Sequence, residues 1–125
     1  MAKTWILRVE LQEILKTLTA NVYYEGNQEP AAYPRIVYDL SEVSYDSGKT
    51  LYQLEINVID YGTNTNPAED LTDNIQETLN KYYFINDEIQ FVVYRGSRQK
   101  VTEDDKLITR RRLLFEIHLH ELKGE

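Results

Sequence analysis

Residues 34 to 62, PRIVYDLSEVSYDSGKTLYQLEINVIDYG, alternate between apolar and polar side chains on both sides of one turn signal, Asp46-Ser47-Gly48. Period-two alternation with a short Gly-containing break predicts a β-hairpin. Ile36, Tyr38 and Leu40 share one face of its first strand, with Arg35, Val37 and Asp39 on the other. In the second strand Tyr52, Leu54, Ile56 and Val58 supply the core face, and Leu51, Gln53, Glu55, Asn57 and Ile59 the opposite one. Each strand has room for about ten residues, roughly 33 Å, where about five or six is typical. A hairpin of that length restricts the fold to one with a sheet, and it also asks what the extra length is for.

The flanking segments supply helices and one more hairpin. Leu7, Leu11, Ile14, Leu15 and Leu18 form the apolar stripe of an amphipathic helix from Thr4 to about Ala20. Val22-Tyr23-Tyr24 reads as a short strand, and Gln28 to Ala32 as a loop. Asn66-Pro67-Ala68-Glu69 starts a second helix with a capping side chain, proline at the first helical position and a glutamate. Leu71, Ile75, Leu79 and Tyr82 give that helix its stripe. Ile89 to Arg95 is a strand ended by Gly96-Ser97, residues 98 to 107 read as a charged loop, and Thr109 to Glu121 is the last strand. Helix, long hairpin, helix, hairpin implies one α+β domain over residues 1–125. Two helices pack on one face of a mainly antiparallel four-stranded sheet, from which the long hairpin protrudes.

Composition excludes more than it selects. The chain carries 21 acidic and 14 basic residues, a formal net charge of −7, so a general nucleic-acid binder is disfavoured. Cysteine is absent, which removes disulfides, thiolate metal sites and thiol catalysis. No signal-peptide core develops after Met1-Ala2-Lys3-Thr4-Trp5, and no apolar run approaches the ~20 residues of a membrane span; cytoplasmic synthesis and folding are expected. Ten tyrosines against three phenylalanines suit half-buried sheet surfaces and interfaces, although strand propensity alone also accounts for them.

Catalytic motifs are scarce. His118 and His120 lie on one side of the last strand, a pair able to bind a divalent metal with Glu116 as a conceivable third ligand; two surface histidines is the plainer reading. Glu103, Asp104 and Asp105 lack the alternating ligands and central glycine of a calcium loop. Glu69 and Asp70 suit the dipole of a helix start. No GxSxG, P-loop or GxGxxG occurs, so no catalytic, metal or cofactor residue is assigned and an enzyme is the weaker class. Arg110-Arg111-Arg112 is the one basic run. Alternation sends Arg110 and Arg112 to one face and Arg111 to the other, and bidentate pairing with carboxylates makes Arg110 and Arg112 candidates for an intersubunit site.

The order of a helix, a "YPRIVYDL" strand, a long hairpin ending in "YQLEINVIDYG", the helix "PAEDLTDNIQETLN" and a final "LLFEIHL" strand resembles the tail terminator, or tail-to-head joining, proteins of long-tailed bacteriophages and prophages. The resemblance runs from Thr4 to Leu122, carried by element order, Pro34 and the helix entry at Asn66-Pro67-Ala68-Glu69. It implies a structural virion protein at the head-proximal end of the tail, assembled in the bacterial cytoplasm, without cofactor or reaction. Such proteins form a ring, typically a hexamer, that caps the tail tube, stops its polymerisation and meets the head's connector protein. Tyr45, Asp46, Lys49 and Tyr52 then become candidates for contact with a neighbouring subunit or the tube protein. Glu103, Asp104 and Asp105 become candidates for a negative lumen through which DNA slides without specific binding. Rival readings are a head-side connector or other minor neck protein, a small metal-dependent enzyme around His118 and His120, and a module that binds peptides along a strand edge.

Overall fold

A computed structural model describes residues 3–24 and 32–122. Two helices and six strands follow in the order α1 (Lys3–Lys16), β1 (Val22–Tyr24), β2 (Arg35–Asp46), β3 (Lys49–Tyr61), α2 (Asn66–Leu79), β4 (Tyr83–Ile85), β5 (Ile89–Val101) and β6 (Ile108–Glu121). The α+β class holds. The sheet itself differs from expectation: it has six strands, ordered β1-β2-β3-β6-β5-β4, and it is mixed because β1 runs parallel to β2. The two additional ladders come from three-residue strands: β1, expected as a short strand but not as part of this sheet, and β4, too short to display a readable period. The loop expected over 28 to 32 falls almost wholly outside the described residues.

The alternation in the sequence translates directly into faces. Ile36, Tyr38, Leu54, Ile56, Val58, Ile89, Phe91, Val93, Leu113, Phe115, Ile117 and Leu119 are all buried on the face that α1 and α2 cover. From above them α1 contributes Leu7, Leu11 and Leu15, and α2 contributes Ala68, Leu71, Ile75 and Leu79. The first helix stops at Lys16, earlier than the stripe suggested. There the Thr17 hydroxyl and backbone N–H both donate to the Ile14 carbonyl, at 2.6 and 3.1 Å, tightening the last turn. At the start of α2 the cap position is Thr65, which makes no side-chain capping bond, and just upstream the Asn64 side chain accepts from the Asn66 N–H at 3.0 Å. Tyr82 falls beyond the helix, and its hydroxyl donates to Glu10 of α1 at 2.7 Å.

The hairpin is as long as expected, with strands of 12 and 13 residues, but it does not protrude. Every residue of β3 from Lys49 to Tyr61 pairs with β6, and the Glu121 N–H donates to the Gly48 carbonyl at 2.8 Å. A 14-residue β6 beside a 13-residue β3 leaves no free overhang. The turn is a two-residue loop with positive φ at both central positions, Ser47 at 50° and Gly48 at 83°. That geometry matches the twist of the strands it joins.

The segment expected as a charged loop after Gly96 is instead the second half of β5. The ladder to β6 resumes at Arg98 after a bulge and continues to Val101. Gly96 makes the bulge possible: a Cβ there would come within 2.5 Å of the Leu114 carbonyl oxygen. The glycine thus bends the strand rather than ending it, and residues 102 to 107 alone form the connection to β6.

Candidate functional site

The sheet has a covered face and an open one, and every charged candidate from the sequence lies on the open face, at its ends or on its edges. Arg110, Arg112, Leu114, Glu116, His118 and His120 project from β6 on the open side, beside Leu51, Gln53, Glu55, Asn57 and Ile59 of β3. Arg111 turns to the helices, as alternation required.

Arg110 and Arg112 are already engaged within the chain. Arg110 donates from Nε to Asn57 Oδ1 at 3.0 Å and pairs with Glu103 at 3.1 Å. Arg112 lies 3.4 Å from Glu55. Its Nε, together with Nε and Nη1 of the buried Arg35, has no partner in the structure. The Arg35 guanidinium stacks 4.7 Å from the Tyr33 ring centroid, which accounts for part of its tolerance of burial.

A second arginine cluster was not anticipated. Arg111 and Arg98 converge on Glu69 of α2, with contacts of 3.1 and 2.8 Å, and Arg98 also reaches Asp73 and Gln76. The hydrogen bond from Arg111 holds the Glu69 carboxyl below its ordinary range, with Arg98 adding to the effect against the cost of burial. The bond to Asp73 correspondingly raises Arg98. This fork ties β5 and β6 to the first turns of α2, where carboxylates also meet the helix dipole. Its partners are up to 42 residues apart, so only the alternation of Arg111 hinted at it.

Each remaining candidate has a definite place. Tyr45, Asp46 and Lys49 are exposed at the hairpin end of the sheet. Tyr52 is buried beneath α1, and its hydroxyl lies 2.6 Å from the Thr4 hydroxyl. Glu103 is half-buried against Arg110; Asp104 is exposed; Asp105 shapes the turn into β6, accepting from the Leu107 and Ile108 backbone. His118 and His120 line a shallow cavity of about 180 Å³ with Ser44, Asp46 and Lys49, and His118 lies 3.3 Å from Glu116. Among the described residues no three His, Cys, Asp or Glu side chains are arranged to hold a metal ion. A larger cleft of about 490 Å³ opens between α1 and β1, lined by Arg8, Gln12, Glu13 and three tyrosines. In its wall the Tyr38 hydroxyl donates to Gln12 at 2.6 Å, and burial pushes its pKa up to about 12. No described helix is long and apolar enough to cross a membrane.

Large apolar side chains are exposed at both edges of the sheet. Val43 and Tyr45 stand out from β2 at 58 % and 56 % exposure, and Tyr83 and Ile85 from β4 at 52 % each. Their ladders to the rest of the sheet are short. β1 covers only Ile36–Tyr38 of β2, and β4 covers only Gln90–Val92 of β5.

Comparison with known proteins gives one informative likeness. No family model matches the chain, and no curated protein matches it. Among solved structures, the fold is similar to that of a chain in the virion of a native gene transfer agent particle, with a TM-score of 0.68. The alignment covers 85 % of this chain and 84 % of that one at 15 % sequence identity. The likeness is one of architecture, spanning nearly the whole of both chains.

Proposed function

We propose that this chain is a structural component of a phage-like particle, acting as a tail terminator. In this reading copies of it form a ring of six on the head-proximal end of a tail tube. The ring stops polymerisation of the tube protein and offers a surface to the head-tail connector. It carries out no reaction and needs no cofactor. The single observation that supports a virion role most strongly is the near full-length fold likeness to a chain of a gene transfer agent virion. The order of elements that resembles the terminator family narrows that role to the end of the tail.

The arrangement of side chains is compatible with assembly rather than turnover. Several charged candidates are spent on holding the fold, as in Arg110–Glu103, while Val43, Tyr45, Tyr83 and Ile85 stand exposed at the sheet edges. For a ring through which DNA passes, Asp104 is the more available of the acidic candidates, since Glu103 faces Arg110 and Asp105 serves its turn. A head-side connector or other neck protein is the second reading, because the same fold likeness supports any station in such a particle.

Deletion of the gene from its source element, followed by electron microscopy of the particles, separates these readings. Overlong or ragged tails beside filled, tailless heads are expected for a terminator. Tails of normal length left unjoined to heads would move the protein to the connector side, and intact particles would overturn both.

A further inference from the structure

The two edges of the sheet are stepped in opposite senses. On one edge β1 covers the foot of β2, leaving Asp39–Asp46 without an outer neighbour among the described residues. On the other edge β4 covers the head of β5. The second half of β5, past the bulge, has no outer neighbour there. The registers fix the heights of these steps. Ser44 is level with Leu51, His118, Val92 and Tyr83; Tyr45 with Phe84; Asp46 with Ile85. At the foot, Ile36–Tyr38, and hence β1, stand level with Arg98–Lys100. A second copy placed beside the first at the same height therefore fits step into step. Its β4 fills the vacancy beside Ser44–Asp46, and the first copy's β1 fills the vacancy beside Arg98–Lys100.

We infer that this stepped edge is the contact between copies of the chain: β4 of one copy docks in parallel along Ser44–Asp46 of the next. The inference rests on the ring proposed above and names the surface that would build it. Three further observations agree on the occupant. Four of the large exposed apolar residues fall on the two parts that would meet, Val43 and Tyr45 on one and Tyr83 and Ile85 on the other, and Tyr45 arrives beside Phe84. Cross-strand aromatic and β-branched pairs of this kind are what stabilise a sheet junction. Between the two steps, Arg95 stands at the height of Leu40, opposite Asp39 and Glu42 of the other copy. None of those three charges has an ion pair among the described residues.

Charges and bulges on edge strands ordinarily guard against self-pairing. Such a guard works when both edges carry the same sign. Here residues 39 to 46 hold Asp39, Glu42 and Asp46 with no basic residue, while residues 94 to 101 hold Arg95, Arg98 and Lys100 with no acidic one. Where the two runs overlap in height, Arg95 meets Asp39 and Glu42 across the contact, while Arg98 and Lys100 stand at the height of the other copy's β1. Because the two surfaces differ, the contact is heterologous, which closes into a ring or continues as a filament and does not stop at a dimer.

The absence of native cysteine makes the test clean. A Ser44→Cys/Tyr83→Cys double variant is oxidised at high concentration and run on a denaturing gel, beside each single variant. A Ser44→Cys/Gln99→Cys control holds its thiols about 20 Å apart in the proposed contact, about six residue levels along the strands. A ladder of oligomers from the first pair alone is the expected result, and Glu42→Arg should suppress it until combined with Arg95→Glu. Dimers from Ser44→Cys alone, equal ladders from both pairs, or no ladder would overturn the edge contact. Sedimentation of the unmodified chain then separates the two levels. Oligomers without the ladder leave the ring standing on another surface. A persistent monomer whose gene deletion leaves tails normal removes the ring as well.

Discussion

The two faces of the sheet are built from the same strands and obey different rules. On the covered face the alternating residues are mostly aliphatic or aromatic and nearly all fully buried, and the two arginines that turn to α2, Arg98 and Arg111, are fixed by Glu69. On the open face the intervening positions mix Leu51, Ile59 and Leu114 with arginines, glutamates and histidines at intermediate exposure. A contact on the first face is worth a large share of the stability of the fold; one on the second is worth little to a lone copy. The open face and its edges are therefore where a sequence has freedom to answer to partners.

The sharpest way to break that contrast is a pair of neighbours on β6. Phe115→Ala removes a ring buried to 1 % exposure and is expected to cost about 3–5 kcal/mol. Leu114→Ala, one residue earlier on the open face, should cost less than about 1 kcal/mol. Urea unfolding of the two variants measures the difference. Comparable losses would mean that the open face is a second core and not a surface.

The next effect concerns the arginine fork. Glu69→Gln leaves Arg111 and Arg98 without their shared carboxylate, and a loss of about 1–2 kcal/mol at neutral pH is expected once solvent screening of the part-exposed Glu69 is allowed for. Glu55→Gln on the open face, whose carboxylate lies 3.4 Å from Arg112 and accepts from Asn57 Nδ2 at 3.0 Å, should lose less than about 0.5 kcal/mol. The Glu69 carboxyl is lowered in the folded state from an unfolded value of 4.5. Its contribution is then complete above that value and disappears as pH falls through the lowered one. The gap between wild type and Glu69→Gln must accordingly narrow on acidification; a gap that is flat with pH would assign the loss to packing instead.

How far all this could be read in advance depended on the range over which each signal acts. Alternation is local, so β2, β3 and β6 and their two faces were legible residue by residue, down to the opposite directions of Arg110 and Arg111. The entry to α2 was legible from Pro67 and Glu69, although the cap position is Thr65. Charged edge positions hid the second half of β5, because Arg98, Gln99 and Lys100 look like a loop when their partner strand is unknown. The protrusion of the hairpin was misjudged for a similar reason: its length was visible, the matching length of β6 beside it was the deciding fact. The pairing of Arg111 with Glu69 and of Arg110 with Asn57 joins residues far apart in sequence, and no local pattern announces such a pair.

Buried tyrosines extend the comparison to alkaline pH. Burial raises Tyr38 from 10.0 to about 12; burial, then the hydrogen bond to Glu10, does the same for Tyr82. Both are ionised more readily when unfolded, so the stability they contribute is complete below pH 10 and is lost as pH rises through about 12. An ultraviolet phenolate titration should show a late step, and Tyr38→Phe should remove part of it while costing about 1 kcal/mol through the lost bond to Gln12. A Tyr38→Phe titration superimposable on the wild type would mean that the ring is wetter than its 1 % exposure implies.

The smallest effect lies at the turn between β2 and β3. Both central residues have positive φ, which glycine adopts freely and asparagine tolerates, whereas serine is poorly suited to it. Ser47→Asn should therefore stabilise the hairpin by about 0.5 kcal/mol or less, visible as a small rise in Tm with no change in cooperativity. Against that gain stands the Ser47 hydroxyl, which donates to Asp46 at 3.1 Å in an exposed setting where such a bond counts for little. A fall in stability would reverse that ranking and make the side-chain bond, rather than backbone conformation, the feature that sets the turn. It would also bear on the edge, since Asp46 closes the step that receives β4 of the next copy, and a turn held by Asp46 is a turn coupled to that contact.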